Sequence, residues 1–112
     1  MKRGEIWTAS GGSDYAGKPR PVVIVQNDEY ESLPLVTVCL VTSSVQPLSL
    51  ARLEIVPSDL NGLREPSRVM VDKLTTLPKS KLGRRIGRLS DEDMTRLARA
   101  MVVFLGIGAS SR

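Results

Sequence analysis

The chain has 112 residues, of which 41% are hydrophobic and 25% are charged, an ordinary composition for one soluble globular domain. It contains no histidine and a single cysteine, which excludes Ser-His and Cys-His catalytic centres, internal disulfides and the common zinc sites. Sixteen Lys and Arg against twelve Asp and Glu give a net charge of +4, which favours a polyanionic partner.

Short apolar runs separated by turn-forming residues predict a mainly β protein. We expect strands over residues 4–9, 21–26, 35–42, 51–56, 68–74 and 85–88, and a short helical turn near residues 79–82. The second run is apolar without interruption, which predicts burial on both faces, whereas residues 51–56 alternate as in a half-exposed strand. Cys39 lies in the third strand and is expected to be a small core residue.

The end of the chain predicts an amphipathic helix. Ser90 and Asp93 form an acidic variant of the capping box, and Gly106 is suited to the position after the last turn. Apolar residues recur at helical spacing on one face, at Met94, Leu97, Ala98, Met101, Val102 and Leu105. We expect this face to pack on the sheet, so that the fold is a strongly bent antiparallel barrel closed by a C-terminal helix. Such barrels present ligands to the loops at one end.

No apolar run has the features of a signal peptide or the length of a membrane span. We therefore expect a single domain over residues 1–112, located in the cytoplasm and without a membrane partner.

Arg20 stands between two prolines at the start of the second strand. Pro19 and Pro21 fix φ at their own positions, and Pro21 favours an extended backbone at Arg20. A guanidinium on such a stiff support can bind a phosphate bidentately and offset charge on a pentacoordinate phosphorus. The alternative is a solvated residue at the start of a strand.

Further candidates follow the third strand and interrupt the fifth. The hydroxyls of Thr42 and Ser43 could donate to a phosphate oxygen, or they could only form a turn. Asp72, beside Lys73, breaks an apolar strand and is either a paired structural carboxylate or a base in the site.

Two more groups are candidates for contact with a substrate. Asp14 and Tyr15 lie in a Gly-rich loop, which either closes over a substrate or is a solvated loop tip. Arg84, Arg85 and Arg88 form a basic cluster, interpreted as a solvated face with some electrostatic steering of nucleic acid. Aromatic residues make up only 4% of the chain, which argues against a broad base-stacking platform.

Three blocks of the sequence are shared with a known family. They lie at residues 2–7, 12–28 and 61–89, and the most specific is the Arg-Pro start of the second strand followed by Gln26, Asn27 and Asp28. In these blocks the chain resembles the MazF/PemK-type toxins of type II toxin–antitoxin systems, which are sequence-selective endoribonucleases.

The resemblance implies an SH3-like barrel that acts as a homodimer on single-stranded RNA, chiefly mRNA, without metal or cofactor, and that a cognate antitoxin neutralises. Arg20 stands at the position of the catalytic Arg, and Thr42 at that of its partner. The implied reaction is attack by the 2′-hydroxyl of the RNA on the adjacent phosphate, leaving a 2′,3′-cyclic phosphate and a 5′-hydroxyl. Some members use an Arg where this chain has Met70, and Arg68 is expected to make that phosphate contact. The expected substrate-binding residues are Asp14, Tyr15, Lys18, Ser43, Arg68, Asp72 and Lys73.

Two functions from other classes stay open at this point. A CcdB-like toxin would bind DNA gyrase without chemistry and would have an aromatic-rich chain end, whereas residues 106–112 contain no aromatic residue. A non-catalytic SH3-like module would bind RNA and leave it intact.

Overall fold

The computed structural model describes residues 1–10, 18–44 and 51–108, which form a six-stranded sheet followed by one α-helix. The elements are β1 (Glu5–Ala9), β2 (Arg20–Ile24), β3 (Leu35–Thr42), β4 (Arg52–Ile55), β5 (Ser67–Pro78), β6 (Leu82–Arg88) and α1 (Asp91–Leu105). Single turns of 3₁₀-helix lie at Asp28–Tyr30 and Lys79–Lys81. The predicted mainly β architecture with a C-terminal helix is confirmed.

The sheet has the strand order β4-β5-β3-β2-β1-β6, and each neighbouring pair is antiparallel. The edge strands β4 and β6 do not pair with each other, so hydrogen bonds between strands do not strictly close the barrel. Residues 57–66, the loop between β4 and β5, lie against β6 instead. There the backbone N–H of Arg88 donates to the carbonyl of Leu60 at 3.0 Å.

Gly62 allows the loop to approach β6 this closely. Its φ is +70°, and a Cβ at this position would lie 2.4 Å from the backbone oxygen of Ile86. Any larger residue would combine a strained backbone with a clash against another backbone. The contact between residues 57–66 and β6 therefore depends on this glycine.

The strand β2 is buried on both faces, as its apolar sequence predicts. Val23 belongs to one hydrophobic cluster, which also contains Leu97 of α1. Val22 and Ile24 belong to a second cluster on the other face, with Val38 of β3. Because successive side chains of a strand point to opposite faces, one β-branched run supplies both clusters.

The helix α1 begins and ends as predicted. The hydroxyl of Ser90 accepts a hydrogen bond from the backbone N–H of Asp93 at 3.1 Å, and Gly106 adopts φ +70° after the last turn. The prediction that the whole apolar face packs on the sheet was wrong at its end, where Val102 and Leu105 are each 46% exposed. The main helix contacts are with β4 and β5, which leave the last turn uncovered. No helix in the described ranges is long and apolar enough to cross a membrane.

Candidate active site

Arg20 begins β2 and Thr42 ends β3. Because these neighbouring strands are antiparallel, the two residues lie at the same end of the sheet. Val22 pairs with Leu40 and Val23 with Cys39, and the same register continued by two residues places Arg20 opposite Thr42. Both line a groove of about 390 Å³ at this end of the sheet. The other residues lining it are Leu40, Val41, Ser44, Met70 and Lys73.

Thr42 forms a turn and keeps a proton to donate. Its Oγ1 accepts a hydrogen bond from the backbone N–H of Ser44 at 3.1 Å, which fixes the hydroxyl oxygen. Among the described residues the Thr42 hydroxyl proton has no acceptor. Of the two roles that the sequence left open, the turn is therefore present, and it leaves the hydroxyl able to donate to an anion.

Two smaller grooves adjoin the first and share its residues. One of about 180 Å³ is lined by Arg20, Thr42 and Ser43 together with Arg64 of the β4–β5 loop. Another of about 200 Å³ is lined by Thr42, Ser43 and Arg68. Arg68 pairs with Thr42 across β3 and β5, and its Nη2 lies 3.8 Å from a carboxylate oxygen of Glu54. Cationic side chains therefore flank Thr42 from β2, from β5 and from the loop.

Lys73 and its neighbour Asp72 both lie in a bulge of β5. Cys39 pairs with Leu74 but Leu40 pairs with Met70, so residues 71–73 form an insertion in the ladder. A bulge redirects the side chains that it contains. Lys73 lines the 390 Å³ groove with Arg20, whereas Asp72 does not line it.

Asp72 is a paired carboxylate. Arg52 donates to its two oxygens at 2.8 and 3.1 Å, a bidentate pair between β4 and the bulge. The hydrogen bonds from Arg52 hold the pKa of Asp72 below its ordinary value of 3.8. A carboxylate in this state is a weak proton acceptor at neutral pH, and it anchors the bulge that carries Lys73.

The other predicted residues differ in how the structure places them. Lys18 is exposed just before β2, and it does not line the three grooves described here. Asp14 and Tyr15 lie outside the described residues. Cys39 is fully buried, and burial raises its pKa to about 11, so it is a core thiol rather than a nucleophile.

Sequence reasoning missed Arg64 and Arg52. Arg64 lies in a charged Arg-Glu-Pro segment that follows the Asn61-Gly62 turn, and a cation beside a fixed turn is the signal that could have identified it. Arg52 belongs to the alternating β4 segment, where nothing local indicates a partner 20 residues away. In the ranges that the structure describes, no three His, Cys, Asp or Glu side chains are close enough together to hold a metal ion.

The structure is a small antiparallel sheet that carries an Arg, a Thr hydroxyl and flanking cations at one end. The sequence pattern of the PemK-like, MazF-like toxins of type II toxin–antitoxin systems matches residues 2–105. The chain belongs to this family, and the predicted resemblance is confirmed.

Individual relatives are similar to this protein over nearly its whole length. The sequence is 47% identical over 107 residues to the probable endoribonuclease MazF of Mycolicibacterium smegmatis, which covers 96% of this chain and 98% of that one. Among solved structures, the Mycobacterium tuberculosis toxin MazF-mt6 is 32% identical, with a TM-score of 0.76 and coverage of 91% and 96%. A mycobacterial endoribonuclease in complex with its cognate antitoxin is 22% identical and has the same fold, with a TM-score of 0.80 and coverage of 98% and 99%.

Proposed function

We propose that this protein is a sequence-selective, metal-independent endoribonuclease toxin that cuts single-stranded RNA, chiefly mRNA, in the cytoplasm. The observation that carries the proposal is the groove shared by Arg20 and Thr42 in a chain of the MazF-like family. The curated relatives bear the name endoribonuclease, which agrees with a phosphate-binding groove.

The chemistry suits a site whose nucleophile belongs to the substrate. The 2′-oxygen of the RNA forms a bond to the adjacent phosphorus, and the bond from phosphorus to the 5′-oxygen breaks. The proton lost from the 2′-hydroxyl is balanced by the proton that the leaving 5′-oxygen gains. The protein has to position the phosphate and neutralise the charge that develops on it.

Five polar side chains of the three grooves have roles in this reaction. Arg20 stabilises the negative charge on the pentacoordinate phosphorus, because a guanidinium stays protonated and is a poor proton donor. The Thr42 hydroxyl donates to a non-bridging oxygen. Lys73 and Arg68 bind the neighbouring phosphates from β5, and Ser43 adds a second hydroxyl beside Thr42.

Membership of the family and the cationic groove both point to an antitoxin protein as a partner. A cationic groove is complementary to an acidic antitoxin segment that folds on binding and covers Arg20.

We also propose a homodimer, because the end of α1 exposes a group of apolar side chains that a second copy would bury, at Val103, Phe104, Leu105 and Ile107. Sedimentation of the isolated protein as a monomer at micromolar concentration would contradict the homodimer.

The deciding experiment incubates a long RNA with the protein in EDTA and maps the product ends. Wild type should leave 2′,3′-cyclic phosphates and 5′-hydroxyls at a recurring short sequence. Arg20→Ala should lower the cleavage rate by about a hundredfold to a thousandfold. Arg99→Ala, which removes an exposed helix arginine outside the grooves, should cleave like wild type.

Two outcomes would overturn the proposal. Equal products from wild type and Arg20→Ala would assign the cleavage to a contaminant or to another site. RNA that is bound tightly but stays intact would make the protein a non-catalytic binding module.

A further inference from the structure

A second cationic cleft lies between residues 57–66 and β6, next to the candidate active site. Its volume is about 520 Å³, and it is lined by Gly62, Leu63, Arg64, Arg84, Arg85 and Ile86. Three of these six residues are arginines, and none is acidic. The sequence indicated Arg84 and Arg85 as part of a solvated basic cluster with some electrostatic steering of nucleic acid. The fold brings Arg64 of a different element beside them.

Both walls of the cleft are held in place. The backbone N–H of Arg84 donates to the Thr8 hydroxyl at 3.0 Å, which ties β6 to β1. Ile6 pairs with Gly87 but Trp7 pairs with Arg85, so Ile86 is an extra residue in β6. On the other wall, Asn61 accepts hydrogen bonds from the backbone N–H groups of Ser58 and Leu63, both at 3.0 Å. The arginines therefore extend from fixed backbones.

The charges in the cleft are only partly compensated. Arg85 donates to a carboxylate oxygen of Glu5 at 3.1 Å, so its charge is paired. Arg64 and Arg84 are exposed and form no ion pair within the described part of the chain. Glu65, which follows Arg64, lines the neighbouring 180 Å³ groove rather than this cleft. The cleft thus presents two uncompensated guanidinium groups to an anion.

The cleft adjoins one of the grooves of the candidate active site. Leu63 and Arg64 line both the cleft and the 180 Å³ groove that contains Arg20 and Thr42. A strand whose phosphate sits at Arg20 can therefore pass over Arg64 and reach Arg84. Successive phosphates on a single strand are the ligand that matches cations arranged along one path.

We propose that the cleft formed by Arg64, Arg84 and Arg85 binds the phosphate backbone of the RNA strand beyond the cleaved sequence. The inference rests on the proposed function and extends it. The protein holds a longer stretch of single-stranded RNA than the sequence it cuts, and the added contacts are to phosphates and carry no base preference.

The test compares RNAs of different length around a mapped cleavage site. A short RNA spanning only the cleaved sequence is used beside two RNAs extended by about ten nucleotides, one at the 5′ end and one at the 3′ end. A single 2′-deoxy nucleotide at the cleavage position removes the nucleophile, so that binding is measured by fluorescence anisotropy without turnover. The proteins are wild type, Arg84→Ala, the double variant Arg64→Ala/Arg84→Ala, and Arg99→Ala as a charge-matched control.

Wild type should bind one extended RNA more tightly than the short RNA. Arg84→Ala should weaken binding of that extended RNA by about fivefold, and the double variant by about twentyfold. The slope of log affinity against log salt should become shallower by about 0.7 for each phosphate contact removed. Arg99→Ala should behave like wild type with every RNA.

The inference fails if Arg84→Ala weakens the short and extended RNAs equally, or weakens neither. It also fails if Arg84→Ala leaves RNA binding intact but dissociates a co-purified antitoxin, because the cleft would then belong to a protein partner. These outcomes do not test the proposed function. That function is tested separately, by whether wild type cleaves the unmodified RNA.

Discussion

The hydroxyl of Thr42 is held by its own turn and has a proton available for a substrate. We expect Thr42→Val to lower kcat for RNA cleavage by about tenfold to a hundredfold, because a hydrogen bond to a charged phosphate oxygen is lost. Thr42→Ser keeps the hydroxyl and should retain most of the activity. Single-turnover cleavage of a defined RNA measures both. An unchanged kcat in Thr42→Val would assign Thr42 to the turn alone.

Glu5 couples the stability of the fold to pH. Burial would raise its pKa, but hydrogen bonds from Trp7, the Lys2 backbone and Arg85 outweigh burial and lower the pKa from 4.5. Because the folded-state pKa is below the unfolded value, this stabilisation is complete above pH 4.5 and is lost as the pH falls through the folded-state pKa.

We therefore expect the melting temperature of Glu5→Gln to depend less on pH than that of wild type. Thermal unfolding followed by circular dichroism at neutral pH and near pH 3 provides the measurement. Wild type should lose more than the variant on acidification, although Asp72 keeps an acid dependence in both proteins. Parallel curves would mean that Glu5 does not contribute to the acid transition.

The loop of residues 57–66 is an element held by one buried side chain. Asn61 is 3% exposed, accepts from the backbone N–H groups of Ser58 and Leu63, and donates to the carbonyl of Val56 at 2.9 Å. We expect Asn61→Ala to lower the free energy of unfolding by about 2–3 kcal/mol, because these backbone groups lose their partner. It should also raise KM for RNA, since Arg64 follows in the same loop.

Chemical denaturation and steady-state cleavage measure the two effects of Asn61→Ala. Asn27→Ala is the matched control, because Asn27 is exposed and accepts one bond from the backbone N–H of Glu29. Its cost should stay near 1 kcal/mol or below, the usual value for such a cap. A cost in Asn61→Ala no larger than in Asn27→Ala would contradict the role assigned to Asn61.

Local sequence patterns predicted the strands and the helix well. They did not predict the contacts between residues that are far apart in the sequence. The apolar run of β2 and the Ser90 cap are decided by neighbouring residues, so their signals are complete within a few positions. The position of Arg20 beside Thr42 was available only through the resemblance to a family. The bulge in β5 and the pair of Arg52 with Asp72 depend on the register between strands far apart in sequence, which periodicity does not encode.

At the scale of the whole molecule, several cationic side chains lie together around the end of β3. Arg20, Arg64 and Lys73 all line grooves that contain Thr42, while several other cations are paired with carboxylates, as Lys2 is with Glu31 at 2.7 Å. A net charge of +4 spread evenly would steer RNA to no particular place. Arg20, Arg64 and Lys73 form no ion pair within the described ranges, so their charge is available to attract RNA to these grooves.

This distribution predicts a strong dependence of RNA binding on salt. If Arg20, Arg68 and Lys73 each neutralise one phosphate of a short RNA that spans only the cleaved sequence, the slope of log affinity against log salt is about −2, which is a loss of about twentyfold between 50 and 200 mM salt. Titration of an uncleavable 2′-deoxy-substituted RNA at several salt concentrations gives the slope, and Lys73→Ala should make it shallower by about 0.7. Arg99→Ala should leave the slope unchanged, because that side chain lies on the exposed face of α1, outside the grooves. A slope near zero in wild type would mean that base contacts rather than phosphate contacts hold the RNA, and the cations around Thr42 would then need another ligand.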